Sequence, residues 1–186
     1  MLYTIGLLKR WVDEMGRDLA SSPILITSFR PWKAHQGEIT SDVLLQQVAA
    51  QLPDNAMSLR WLPVIFDLAP MEVISHIVQY SPKAVICCGM AETRKTLTVE
   101  QWGTYKNNRL ATPINLERLI QNTVHTHISL DAGDFVCNRL YYQVLRHLQH
   151  RSAAALFVHV PLMTSLNRSV VEFDFLKIVD YLNRRE

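Results

Sequence analysis

The chain has 186 residues, of which 48% are hydrophobic and 19% are charged, and its formal net charge is +2. This length and composition exclude a disordered tail, a coiled coil and a disulfide-stapled miniprotein, and they predict one domain that spans residues 1–186. Because the charges are scattered along the chain, the sequence does not favour a nucleic acid as a partner. Three cysteines, two of them adjacent, make a poor disulfide framework, so a cytoplasmic protein is expected.

The N-terminal segment, residues 1–22, is predicted to be a helical extension that lies on the domain. Its apolar stretch has no basic region before it and no small-residue cleavage site after it, which disfavours a signal peptide. Apolar side chains of this segment, such as Leu7 and Trp11, could cover a partner subunit, so a homo-oligomer is compatible with the sequence. No apolar run approaches the roughly 20 residues of a membrane-spanning helix, and no membrane partner is expected.

Short apolar runs rich in β-formers alternate with longer segments of helical period, which is typical of α/β proteins. The predicted strands are residues 24–29, 59–66, 84–89, 127–130 and 154–160. Most of these runs are continuously apolar, as expected for strands covered on both faces. The predicted helices are residues 38–52, 70–80, a segment that begins near Asp134 as its N-cap, and residues 170–183. The sequence therefore predicts a three-layer α/β/α sandwich around a mostly parallel or mixed sheet.

The stretch from residue 93 to residue 122 is the least regular part of the predicted fold. In α/β folds, irregular excursions at strand ends tend to hold the functional site. We therefore expect functional residues in or next to this stretch.

The segment DAGDFVCN, from Asp131 to Asn138, is predicted to carry a strand through a glycine turn into a helix with Cys137 in its first turn. Unpaired N–H groups and the helix dipole favour a thiolate there, so the pKa of Cys137 is expected to lie below that of a free thiol. The same N–H groups could hold an oxyanion. From the residues alone, a buried structural cysteine is the alternative.

Two further residues could act with this cysteine. His159 interrupts the apolar run FVHVP just before a proline, and a strand-end histidine can serve as the base for a nucleophilic cysteine. A histidine satisfied within the core is the alternative. Glu100 follows an apolar stretch in the irregular region, and by itself it is typical of a solvated surface group.

Together these segments resemble the pyroglutamyl peptidase I (pyrrolidone-carboxylate peptidase) family of cysteine peptidases, of which the chain looks like a divergent member. The segment DAGDFVCN with Tyr142 is similar to the family pattern AG-x-FVCN-x-x-x-Y, and FVHVP is similar to F-[IV]-HVP. GMAETR, which begins at Gly89 and leads to Glu100, resembles the G-x-A-x-x-R...ER segment. ILITSFRPW and WLPVIF resemble the first strand and turn, TGFEPF, and the LPV-x-[FY] segment.

The resemblance implies that Cys137 is the nucleophile, His159 its general base and then acid, and Glu100 the carboxylate that orients His159. It implies that the substrate is a peptide blocked by an N-terminal pyroglutamyl residue, and that no metal and no cofactor is required. It also implies a set of substrate-binding residues, with Arg109 assigned by an offset of one position from the family arginine: Phe29, Trp32, Met90, Arg109 and Val136.

The chain also departs from the family pattern around the expected pocket. Ser28 replaces the first glycine of TGFEPF, Trp32 is larger than the usual aromatic residue, and GMAETR stands where GQAGGR is typical. The chain between Arg109 and Asp131 is short for the family. Three hypotheses follow: an active pyroglutamyl peptidase, a related cysteine amidohydrolase with altered specificity, and an inactive binding protein on the same fold.

Overall fold

The computed structural model describes residues 22–31 and 39–185. The predicted N-terminal helix, up to residue 21, and Trp32 lie outside the described residues. The strands are β1 (Ile24–Phe29), β2 (Ala56–Leu62), β3 (Ala84–Met90), β4 (Thr98–Glu100), β5 (Trp102–Tyr105), β6 (Asn108–Ala111), β7 (His127–Ser129) and β8 (Ala154–Val160). The α-helices are α1 (Thr40–Val48), α2 (Leu68–Tyr80), α3 (Leu116–Ile120), α4 (Val136–Leu148) and α5 (Arg168–Asn183), and a short 3-10 turn, Ala49–Gln51, follows α1.

Six strands form a mixed sheet in the order β2-β1-β3-β8-β4-β7, and β5 pairs with β6 in a separate hairpin. Within the large sheet β4 is antiparallel to β8, whereas the other neighbouring pairs are parallel. Every residue of β1 and β8 is buried, because helices cover both faces of these central strands. The predicted mixed sheet is confirmed.

Helices lie on both faces of the sheet, so the predicted three-layer sandwich is also confirmed. Leu44 of α1, Leu119 of α3 and Phe175 of α5 belong to one buried cluster on one face. Val73 of α2 and Leu140 of α4 belong to the cluster on the opposite face. Full burial of each such side chain contributes about 1.5–3 kcal/mol to folding. Within the described residues, no helix is long and apolar enough to cross a membrane.

The second predicted strand, residues 59–66, was misplaced. β2 ends at Leu62, and residues 63–66 form a turn that leads into α2. Pro63 has no N–H group to donate to a sheet, so it stops the strand where the apolar pattern continues. β2 is also an edge strand and is only partly buried.

The stretch predicted to be irregular, residues 93–122, contains four short elements: β4, β5, β6 and α3. β4 has only three residues, too few to show a period in the sequence, yet it lies inside the main sheet between β8 and β7. The expectation of an irregular excursion was therefore wrong for β4. It is this strand that carries Glu100 into the core.

Candidate active site

One face of the sheet, the face under α4, brings together residues that are distant in the sequence. In the pairing of β4 with β8, Thr98 lies opposite His159 and Glu100 lies opposite Phe157. Residues that lie diagonally across a strand pair are within reach of each other when their side chains are long. Glu100 and His159 meet in this way although 59 positions separate them in the chain.

The Nδ1 atom of His159 lies 2.7 Å from Oε1 of Glu100, and both side chains are buried. A carboxylate can only accept, so Nδ1–H donates and the lone pair of the neutral ring lies on Nε2. Burial lowers the pKa of His159, and the hydrogen bond and charge of Glu100 oppose this shift. The arrangement holds a neutral imidazole in the tautomer that can accept a proton at Nε2.

Cys137 is the second residue of α4, and the start of this helix packs against the carboxyl end of β3. A Cβ atom at Gly89 would lie 3.2 Å from Cβ of Cys137 and 3.0 Å from Cε2 of Phe157. In the sheet, Gly89 is the direct neighbour of His159. The missing side chain at position 89 lets Cys137 approach the part of the sheet where His159 and Glu100 lie.

The expected low pKa of Cys137 was wrong. Burial raises the pKa of this thiol to about 11, although the backbone N–H groups of Asn138 and Cys137 act in the opposite direction. The helix N-terminus does favour the anion, as the sequence suggested, but loss of water around the sulfur outweighs it. The thiol is therefore protonated at neutral pH, and a base must remove its proton before it can attack.

The loop before α4 is fixed by hydrogen bonds within the site. Gly133 has a φ of 69°, a conformation that glycine adopts without strain, and its N–H donates to Oδ1 of Asp131. The side-chain amide of Asn138 donates to the carbonyl of Gly133 and to Oγ1 of Thr104, and its oxygen accepts from the N–H of Thr104. Asn138 thus ties the loop before α4, residues 131–135, to the hairpin of β5 and β6.

Asp134 is not the N-cap of α4, contrary to the sequence prediction. The N-cap is Phe135, and no side chain caps the helix. The first N–H groups of α4 are therefore not used by a capping side chain, which leaves two of them directed at the sulfur of Cys137.

The substrate-binding residues expected from the sequence are only partly brought together. Phe29, at the end of β1, and Val136, at the start of α4, are buried in the same apolar cluster. Met90 is half-buried at the end of β3. Arg109 lies exposed on β6, with its guanidinium carbon 4.4 Å from the ring centre of Trp102.

Two features of the site were not predicted from the sequence. Arg94 forms an ion pair with Glu100, with Nη1 2.5 Å from Oε1, and the only sequence signal was its place in the GMAETR segment. Ser28, noted only as a replaced glycine, donates to Oδ1 of Asp42 at 2.7 Å, and Asp42 also accepts two hydrogen bonds from Arg60 and one from Nε1 of Trp61. The local sequence of α1 gives no sign that Asp42 is buried.

Comparison with known proteins gives a consistent result. A family model described as pyroglutamyl peptidase matches residues 109–172, a range that contains Cys137 and His159. The chain is also similar in sequence to curated pyrrolidone-carboxylate peptidases. Pyrrolidone-carboxylate peptidase 1 of Streptococcus pneumoniae serotype 4 is 27% identical over 172 residues, covering 75% of this chain and 78% of that protein. The pyrrolidone-carboxylate peptidase of Vibrio vulnificus strain YJ016 is 24% identical over 166 residues, covering 75% of this chain and 78% of that protein.

Solved pyroglutamyl peptidases have the same fold. The pyroglutamyl peptidase I of Bacillus amyloliquefaciens superposes with a TM-score of 0.77 at 17% sequence identity, covering 88% of this chain and 98% of that one. The pyrrolidone carboxyl peptidase of Thermococcus litoralis gives a TM-score of 0.67 at 20% identity, covering 87% of this chain and 94% of that one. The sequence matches and the shared fold therefore confirm the resemblance inferred from the motifs.

Proposed function

We propose that the protein is a cysteine peptidase that removes an N-terminal pyroglutamyl residue from peptides, with Cys137, His159 and Glu100 as the reacting groups. The single observation that carries this proposal is the buried hydrogen bond between Nδ1 of His159 and Oε1 of Glu100, next to the helix start that presents Cys137. The family relationship supplies the substrate class. The match of the family model to the cysteine and histidine segments supports the same residues.

In the first half of the proposed reaction, Nε2 of His159 takes the proton from Sγ of Cys137 as the sulfur attacks the pyroglutamyl carbonyl carbon. The N–H groups at the start of α4 stabilise the negative oxygen of the tetrahedral intermediate. The intermediate collapses, the imidazolium gives its proton to the departing amine, and the shortened peptide leaves. Glu100 stabilises the imidazolium and keeps the ring in one orientation throughout.

In the second half, water attacks the thioester while Nε2 of His159 accepts its proton. Collapse of this second intermediate returns the proton to the sulfur and releases pyroglutamate. Because burial raises the pKa of Cys137 to about 11 and lowers that of His159, the resting pair is a neutral thiol and a neutral imidazole. The proposed mechanism is therefore general-base catalysis, without a preformed thiolate.

For the substrate pocket, we propose Phe29, Met90 and Val136 as apolar walls around the flat lactam, together with Trp32. A neutral ring with one N–H and one C=O suits an apolar slot that has a few polar groups. Arg109 is proposed to assist at the reacting carbonyl. Its stacking on Trp102 gives it a defined starting position on the hairpin.

The decisive experiment is release of a fluorophore from a pyroglutamyl amide by the purified, reduced protein. Cys137→Ala and His159→Asn should abolish turnover. Cys88→Ala is the matched control, because Cys88 is buried in the cluster on the opposite face of the sheet and should not affect the reaction. Equal turnover in the wild type and in Cys137→Ala would disprove the proposal.

A related cysteine amidohydrolase with altered specificity is the second candidate, and the hydrogen bonds around Asp42 favour it. Arg60 and Trp61 both lie opposite Ser28, because Thr27 pairs with Leu59 and Phe29 with Leu62. Two residues of β2 thus face one residue of β1, which is a β-bulge next to Phe29. The family pattern has a glycine turn at this place. Absence of pyroglutamyl turnover, together with base-dependent acylation of Cys137 by other small amides or esters, would select this candidate.

We also propose a reducing, cytoplasmic location, supported by the three free cysteines Cys87, Cys88 and Cys137. We propose likewise that the chain forms a single domain and that the protein is a homo-oligomer. Limited proteolysis tests the first, and light scattering of the purified protein tests the second. Residues 22–31 and 39–185 include no second core that is separate from the sheet.

A further inference from the structure

Arg94 lies in the loop between β3 and β4 and contacts four groups of the site. Its Nη1 donates to Oε1 of Glu100 at 2.5 Å and to Oγ1 of Thr98. Its Nη2 donates to the carbonyl of Asp131 at 2.8 Å and to Oγ of Ser129 at 3.2 Å. One guanidinium therefore joins Glu100, the proposed orienting carboxylate, to Asp131, the first residue of the loop (residues 131–135, the nucleophile loop) that leads to the proposed nucleophile Cys137.

The charge of Glu100 needs a cation in this position. Glu100 is 0% exposed, and its Oε2 has no hydrogen-bond partner within the described part of the chain. Both of its ion-pair contacts, to Arg94 and to His159, are made by Oε1. When His159 is neutral, Arg94 is the contact that compensates the buried carboxylate, because a buried charge without a partner is costly.

The contact with Asp131 reaches the other half of the site. Asp131 accepts the N–H of Gly133 on its side chain, and the loop then leads directly into α4 and Cys137. A planar guanidinium can hold two acceptors in fixed directions, which a lysine ammonium cannot reproduce. The position of Glu100 and the position of the nucleophile loop are thus set by the same side chain.

We propose that Arg94 is a positioning residue of the peptidase site, which neutralises Glu100 and fixes it relative to the loop that presents Cys137. This inference rests on the proposed function for its catalytic meaning. The expected electrostatic effect on His159 does not depend on which substrate the site accepts.

The groups that face His159 determine what loss of Arg94 would do. β4 contributes Glu100 and the neutral Thr98, and the two loops contribute Arg94 and Asp131. Cys137, at the start of α4, packs on Gly89, which is the neighbour of His159 in the sheet. The charges of Glu100 and Asp131 raise the pKa of His159, whereas the charge of Arg94 lowers it. Removal of Arg94 should therefore raise the pKa of His159 and extend the imidazolium form to higher pH.

The test compares Arg94→Met and Arg94→Lys with Thr98→Val and Ser129→Ala. The last two variants each remove one hydrogen bond of Arg94 and leave every charge in place. The His159 titration is followed by NMR of labelled histidines and is assigned with His159→Gln. This measurement needs no turnover, so it stays informative if the proposed peptidase activity is absent.

We expect Arg94→Met to raise the NMR pKa of His159 by roughly half a pH unit or more and to move the acidic limb of kcat/KM by the same amount. Arg94→Lys should keep the pKa near the wild-type value but lower kcat, because the bond to Asp131 is lost. The two control variants should leave the titration unchanged. A wild-type His159 titration in Arg94→Met, or in Arg94→Gln if the methionine variant does not fold, overturns the proposal.

Discussion

Gly89 and Cys137 pack so closely that a Cβ atom at position 89 would lie 3.2 Å from Cβ of Cys137. A methyl group at position 89 would also press on the ring of Phe157, so either the start of α4 or this ring must move by a few tenths of an ångström. The neighbour of Gly89 in the sheet is His159, so this contact is part of the geometry between the proposed nucleophile and its proposed base. The packing of one glycine thus controls how the helix meets the sheet.

Gly89→Ala should therefore lower kcat roughly tenfold or more while the protein stays folded, because small displacements of reacting groups are costly. Steady-state kinetics and circular dichroism measure the two effects separately. Gly103→Ala serves as a contrast, since a Cβ atom there would meet the backbone of Tyr142 and should lower stability first. Wild-type kcat in Gly89→Ala would show that the contact does not control the reaction.

Alkylation of Cys137 should be slow at neutral pH, because burial raises the pKa of its thiol to about 11. The rate of modification by iodoacetamide should rise with pH across the neutral and alkaline range, as measured by mass spectrometry of quenched samples. Cys137→Ala identifies the site of labelling. A rate that reaches its plateau near pH 7 would contradict the raised pKa and restore the preformed thiolate.

Stability should fall as the pH drops below about 6.5, partly because of His159. Burial lowers the pKa of His159 in the folded protein, so the unfolded chain binds a proton at this residue more readily than the folded chain does. The resulting loss in the free energy of unfolding is absent above the pKa that His159 has in the unfolded chain. It grows as the pH falls from there towards the lower pKa of His159 in the folded protein. The wild type should therefore lose more stability than His159→Asn between pH 7 and pH 5.

Urea unfolding of both proteins at each pH measures that difference. The chain has seven histidines, and the comparison with His159→Asn removes the contribution of the other six. Parallel losses in the two proteins would show that His159 does not carry the acid sensitivity.

Asp42→Asn should destabilise the protein by about 1–3 kcal/mol, because a buried carboxylate that pairs with the Arg60 guanidinium is replaced by a neutral amide. Burial acts to raise the pKa of the Asp42 carboxyl. Hydrogen bonds from Arg60, Ser28 and Gln46 outweigh this effect and hold the pKa below its usual value. Chemical denaturation gives the free energy of unfolding, and the KM for a pyroglutamyl amide should rise because Phe29 adjoins this cluster.

Ser28→Gly is the matched control, because it removes one donor and leaves the bidentate pair of Arg60 with Asp42 intact. Its cost should be smaller than that of Asp42→Asn. A larger cost for Ser28→Gly would mean that the backbone at position 28, and not the Asp42 carboxylate, stabilises the turn.

The central strands could be predicted from the sequence because they are buried on both faces. The bounds of β1 and β8 agree with the predicted residues 24–29 and 154–160, and α5 begins two residues before its predicted start. β4 could not be predicted in this way, because three residues show no periodicity and the strand exists only through its partners β8 and β7.

The site, like the fold, could be predicted where the local sequence has a pattern and not where distant residues meet. Cys137 and His159 lie in motifs with a strong local pattern, whereas the surroundings that decide their chemistry come from elsewhere in the chain. The pKa of Cys137 depends on burial by the folded domain, and the helix position alone predicts the opposite direction. The contacts of Arg94 and Asp42 reach up to 37 and 19 positions along the chain, so the neighbouring sequence does not predict them.

β8 is the last strand along the described chain, yet it occupies an inner position of the sheet, between β3 and β4. During synthesis, a ribosome must release the chain beyond Val160 before these two strands can be joined. Until then both inner edges are open to other chains, and His159 has not reached Glu100. A nascent chain therefore carries the thiol of Cys137 without its proposed base, and hydrolytic capacity should appear only after the C-terminal part has left the exit tunnel.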